Sequence, residues 1–155
     1  MILSKLEEFS DAQGPITATA ISAVVDLGAT PTLRDLGVGT DVWFVVQVDV
    51  TGTGAGTCTI ALVSSAAAGL QTTPVTHFAT PAIVGTNLVA GLEVARVKLP
   101  VSGFLAAVPT ASPNYKRYLG VQYTIASTVG ALKLSAFLTL GVQANASYPS
   151  GFAVS

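Results

Sequence analysis

The run Val42–Val50 reads Val-Trp-Phe-Val-Val-Gln-Val-Asp-Val, apolar throughout its start and alternating at its end, where Val46, Val48 and Val50 stand against Gln47 and Asp49. β-branched and aromatic residues in that pattern specify a central β-strand with one end nearer water. Thr51-Gly52-Thr53-Gly54-Ala55-Gly56 follows, and then Thr57–Ser64 alternates as Cys58, Ile60 and Leu62 against Thr57, Thr59 and Ala61. A Gly-rich connection between two such runs predicts a hairpin of two long strands.

Five more runs carry strand signals: Ile16–Val25, Val75–Ala79, Leu92–Leu99, Tyr118–Ile125 and Lys133–Gln143, each bounded by Gly, Pro, Ser or Asn clusters. Strands at this spacing without helical patterns between them predict an all-β chain, an antiparallel sandwich or barrel. In Lys133–Gln143, Leu134, Ala136, Leu138, Leu140 and Val142 face one way, and Phe137 puts an aromatic on the other face. Both faces are therefore expected to be covered at Phe137, by a loop or by a neighbouring subunit. The weak helical candidate is Ile2–Phe9, where Ser4 and Glu7 have capping-box spacing. Its shortness predicts a terminal arm that orders on a partner. The expected organisation is an arm over residues 1–13, a β-sandwich over 14–143 and a tail over 144–155.

Charged residues are 10% of the chain, apolar residues 50%, and the mean hydropathy is +0.64. An ordinary soluble domain carries about 25% charge, so Thr, Ser, Gly, Ala and Val must form much of this surface. Such a surface suits a protein that works in an assembly. The net charge is −1 with the basic residues scattered, which argues against nucleic acid as a partner. Gly, Thr, Pro or Gln interrupts the uncharged segment Val50–Leu92, so no membrane span is expected, and the N-terminus lacks the pattern of a signal peptide.

The chain offers little for catalysis. His77 is the single histidine and reads as a surface or interface side chain, and Cys58 as a small buried hydrophobe. Asp26, Asp35, Asp41, Asp49 and Glu93 are dispersed, and Gly52–Gly56 lacks the Lys and the helix of a phosphate loop. No cofactor, no metal and no catalytic residue is expected. Two polar clusters stand out instead. Arg34-Asp35-Leu36-Gly37-Val38-Gly39 precedes the main strand, and Lys116-Arg117-Tyr118-Leu119 leads into a later one. Each suits either a contact surface or a local structural role, an Arg to carboxylate tie in the first and a charged strand edge in the second.

Taken in order, several landmarks resemble the tailed-phage capsid cement (decoration) family typified by the cement protein of a Bordetella-infecting short-tailed phage. They are Met1-Ile2-Leu3 with Phe9-Ser10-Asp11-Ala12-Gln13, then Asp26-Leu27-Gly28, Arg34-Asp35-Leu36-Gly37, Val45-Val46-Gln47-Val48, Leu99-Pro100, Lys116-Arg117-Tyr118-Leu119, Ala136-Phe137-Leu138 and Tyr148-Pro149-Ser150-Gly151-Phe152. The chain departs from the family pattern at Thr40-Asp41-Val42-Trp43 and in the loop Gly103–Asn114. The resemblance implies a jelly-roll-like sandwich, made in the host cytoplasm, bound across major capsid subunits on the outside of the phage head, and self-associated as a homodimer or else a trimer. The expected capsid or subunit contacts are Phe9, Asp11, Arg34, Asp35, Lys116, Arg117, Tyr148 and Phe152. The rival readings are another minor virion component, such as a tail or head completion protein, and a carbohydrate-binding jelly roll, which would need exposed aromatic platforms.

Overall fold

Alternation with period two places every second side chain of a strand on one face, so the alternating runs bury themselves by stacking two sheets face to face. A computed structural model describes residues 8–14, 16–28, 41–99 and 115–140. Its strands are β1 (Glu8–Gln13), β2 (Ala20–Ile21), β3 (Val25–Asp26), β4 (Val42–Val50), β5 (Thr57–Ser65), β6 (Val75–Ala79), β7 (Ile83–Val84), β8 (Glu93–Lys98), β9 (Tyr118–Ala126) and β10 (Lys133–Leu140). Among the described residues the helical content is one 3-10 turn, Gly85–Asn87.

One sheet has the order β1-β10-β4-β8; the other runs β2-β9-β5-β6, with β3 also on β9 and β7 also on β5. All pairings are antiparallel. If β2 with β3 and β6 with β7 each count as one strand, the first, eighth, third and sixth strands form one sheet and the second, seventh, fourth and fifth the other. That is the double-sheet order of a jelly roll, as expected.

The expected hairpin between Val42–Val50 and Thr57–Ser64 does not form. β4 pairs with β10 and β8, whereas β5 pairs with β9, β6 and β7, so the glycine run carries the chain from one sheet to the other. Its amides bond to other loops: Gly52 N–H donates to Leu88 O, Thr53 and Gly54 N–H to Val129 O, and Gly56 N–H to Thr128 O, all within 3.1 Å. A Cβ on Gly54 would lie 2.0 Å from Thr128 O, and one on Gly85 would lie 2.7 Å from Gly54 O. Three backbones thus pack directly on one another, which residues with side chains could not do.

The run Ile16–Val25 also differs from expectation, since only the short strands β2 and β3 pair with β9. Between them, Ser22 Oγ accepts the Val121 N–H at 2.8 Å and Ala23 N–H donates to Phe9 O at 2.8 Å. These bonds divert the chain from the ladder toward β1.

The core lies between Phe44, Val46, Val48, Leu134, Ala136 and Leu138 of one sheet and Cys58, Ile60, Leu62, Leu119, Val121 and Tyr123 of the other. Phe44 meets Phe9 and Phe78 edge-on, each at a centroid distance of 6.1 Å. Phe137 and its cross-strand neighbour Val45 lie outside this cluster yet are 6% and 5% exposed, so the expected cover at Phe137 exists within the single chain.

Tyr123 lies fully buried and its hydroxyl meets Ser10 Oγ at 2.7 Å, a polar tie between the sheets. Burial pushes the phenol's pKa up, so the group stays neutral and keeps its proton. Tyr123→Phe strands the buried Ser10 hydroxyl and is expected to lower stability by about 1–2 kcal/mol. An unchanged urea midpoint would show that the tie contributes nothing.

Candidate functional site

Every longer segment outside the described residues departs from one pole of the sandwich. Leu140 pairs with Val42, Trp43 with Lys98, and Glu8 with Phe137, so the first residue of β1, the start of β4 and the ends of β8 and β10 lie together. In the other sheet Tyr118 pairs with both Ser65 and Asp26, bringing in the start of β9 and the ends of β3 and β5. Gly28, Asp41, Leu99, Tyr115 and Leu140 therefore mark this pole, and the glycine-packed crossover occupies the opposite one. Leu140 stands 64% exposed here.

Of the sequence-predicted contact residues, Lys116 and Arg117 sit on this pole, at the entry to β9. Neither is an unattached charge. Arg117 donates from Nε to Asp26 Oδ1 at 2.9 Å and from Nη2 to Asp26 Oδ2 at 2.8 Å, and its guanidinium lies 4.8 Å from the centre of the Tyr118 ring. The hydrogen bonds to Asp26 hold the arginine's pKa above its ordinary value. Asp26 Oδ1 also accepts the Gly28 N–H at 2.8 Å, so the pair fastens the end of β3 to β9. Lys116 donates from Nζ to Thr73 O at 2.6 Å and from its backbone N–H to Ser64 Oγ at 3.0 Å. The two cations thus have local structural partners while Arg117 keeps 43% of its side chain in solvent. Lys98 and Asp41 form a further exposed ion pair at the same pole.

Phe9 is a correction. Expected in an arm at an interface, it is 1% exposed and packs on Phe44, because residues 8–13 form β1 on the edge of the first sheet. The sandwich therefore includes residues 8–13, so the predicted arm boundary at residue 13 fails and the Glu8–Phe9 end of the helix expected over Ile2–Phe9 is strand, while residues 2–7 lie outside the described residues. A register irregularity between Glu8 and Ser10 turns Phe9 and Ser10 inward together. Asp11, on the same strand, is exposed. Arg34, Asp35, Tyr148 and Phe152 lie outside the described residues, but the residues flanking their segments, Gly28, Asp41 and Leu140, stand at the marked pole.

A feature the sequence did not announce lies nearby. Ser64 Oγ is 2.7 Å from His77 Nε2, and the His77 ring stacks on Tyr115 at 4.0 Å. The pair has the composition of a nucleophile and base, but Ser64 is 0% exposed and its hydroxyl already accepts the Lys116 N–H, which gives a substrate no approach. Among the described residues no group of three His, Cys, Asp or Glu side chains is placed to hold a metal ion, and no helix is long and apolar enough to cross a membrane. Phe44 is core and Trp43 is partly buried, so neither forms an open aromatic platform.

A search of curated proteins finds no match. The model of one protein family, Bbp16, matches residues 9–138. The chain belongs to the Bbp16 family. It is a Bordetella phage protein family, and the match runs from β1 to β10, taking in both sheets, the glycine crossover and the Lys116-Arg117 entry to β9. The Bbp16 match thus begins at Phe9, the residue that joins the first strand to the core.

Proposed function

We propose that this protein is a virion structural component, a cement protein that binds across major capsid subunits on the outer surface of a tailed-phage head, and not an enzyme. The observation that carries the reading is the gathering of strand ends at one pole, in a chain of the Bbp16 family. Those ends lead to the segments with Arg34, Asp35, Tyr148 and Phe152, and beside them stand Lys116 and Arg117. A sandwich whose strand ends next to these segments gather at one pole is suited to gripping a surface, since loops carry recognition and strands hold them in register. A surface with only 10% charged residues suits burial in a lattice.

Binding the assembled lattice and not its separated subunits stabilises the shell by mass action. A homodimer, or alternatively a trimer, tethers several capsid subunits at once and converts weak contacts into a strong joint one through effective concentration.

The test is the copy number per purified particle, measured by mass spectrometry against the major capsid protein. A ratio near one supports the cement reading, and a handful of copies overturns it in favour of a tail or head completion component. Removing residues 1–7 then asks whether the terminus contributes to occupancy. A deletion through residue 13 would remove β1 and Phe9 and report on folding instead.

A further inference from the structure

We infer that His77 is an acid-released latch, which at neutral pH fastens the entry of β9 to β6 and lets it go when the imidazole takes up a proton. The inference concerns the chain alone and stands whether or not the protein coats a capsid.

The geometry begins with a β-bulge. Leu62 pairs with Phe78 and Val63 with Thr76, so His77 is the extra residue on β6, free of the ladder. Its ring reaches Ser64 Oγ at 2.7 Å through Nε2 and lies on Tyr115 at 4.0 Å with an interplanar angle of 23°. Ser64 Oγ accepts the Lys116 N–H at 3.0 Å, and Lys116 Nζ donates to Thr73 O at 2.6 Å. One small cluster thus joins β5, β6, the loop before β6 and the segment entering β9.

That cluster has no place for a second imidazole proton. Where the neutral ring donates from Nε2, the second proton falls on Nδ1, which among the described residues is buried without a hydrogen-bond partner and becomes a stranded donor on a cation. Where the neutral ring accepts from Ser64 at Nε2, the second proton makes Nε2 a donor to an oxygen that already accepts from Lys116 and must turn its own hydrogen elsewhere. Among the described residues of the elements packed on the ring, no carboxylate offsets the charge. The titratable groups on the packed elements are Cys58 of β5, on the core face, and Tyr115, Lys116, Arg117 and Tyr118 at the entry of β9; residues 66–79 contribute His77 alone. The ring is therefore expected to leave when it is protonated, and Tyr115 loses its stacking partner.

Burial alone lowers the His77 pKa from 6.5 to about 4. The sign follows directly. Between these values the opened state binds the proton and the latched state does not, so latching is complete above pH 6.5 and weakens as the pH falls toward 4. At pH 5 the opened form is favoured about thirtyfold relative to neutral pH, while carboxylates of ordinary pKa remain mostly ionised.

The experiment is amide hydrogen exchange of the full chain at pH 7.5 and pH 5, corrected for intrinsic rates and read at Lys116, whose N–H bonds Ser64. The expected result is a loss of protection of tenfold or more at pH 5 in the wild type and none in His77→Phe, which keeps an aromatic ring and cannot titrate. Equal protection at the two pH values, or the same loss in His77→Phe, overturns the latch. The histidine titration of the unmodified protein is an independent check if that variant fails to fold: a midpoint below pH 5 supports the latch and one near 6.5 overturns it.

Discussion

Gly54→Ala is expected to destabilise the protein by about 3 kcal/mol or more, a severe effect for one methyl group. The added carbon would stand 2.0 Å from the Thr128 carbonyl oxygen, which belongs to backbone and cannot rotate away. The Gly54 carbonyl oxygen in turn packs against Gly85, 2.7 Å from where a Cβ there would stand, so the loop is backbone-packed on that glycine too. Thr53 and Gly54 donate to Val129, and Gly56 donates to Thr128, so relieving the contact also breaks bonds that hold the crossover between the sheets. Gly69→Ala is the control, because a carbon there meets nothing within 4 Å. The comparison is made by urea unfolding with the slope monitored. A Gly54→Ala midpoint indistinguishable from that of Gly69→Ala would mean that the crossover does not pack as described.

Phe9→Ala carries the second large effect, a loss of about 3–5 kcal/mol. Marginal stability makes that a considerable share of the about 5–15 kcal/mol that holds a domain folded. Phe9 is 1% exposed, meets Phe44 edge-on, and is the residue by which an edge strand reaches the core. Its loss leaves a cavity beside Phe44 and removes the apolar anchor of β1. Asp11→Ala on the same strand is expected to change stability by less than about 0.5 kcal/mol, as exposed substitutions usually do. If Phe9→Ala proved as stable as the wild type and lost capsid occupancy instead, the residue would belong to an interface after all.

The two effects mark what was and was not legible beforehand. Thr51–Gly56 was recognisable as a Gly-rich connection, but glycines permit a tight hairpin and a backbone-packed crossover equally, and only the partner at Thr128 and Val129 distinguishes them. Phe9 stands in too short a run to show a period, and a register irregularity then places it and Ser10 on the same side, against simple alternation. Similarly, nothing around His77 in the chain reveals a bulge, since Ser64 and Tyr115 are 13 and 38 positions away. Lys116 and Arg117 were evident as a cluster, and their anchoring on Thr73 and Asp26 was not.

By itself the sequence determined that the chain is all-β and where its long strands run, because alternation and the Gly, Pro and Ser that interrupt it are local properties of a peptide. β4, β6, β9 and β10 begin at the expected residues for that reason. Tertiary structure decided which strand lies beside which, that Phe9 belongs to the core, and that the chain segments with the candidate contacts leave from one pole. Those outcomes rest on pairings such as Leu140 with Val42 and Asp26 with Tyr118, between residues about ninety positions or more apart. An antiparallel ladder offers the same hydrogen bonds to any strand, so the choice among partners comes from the packing of two faces, a property of the whole sandwich.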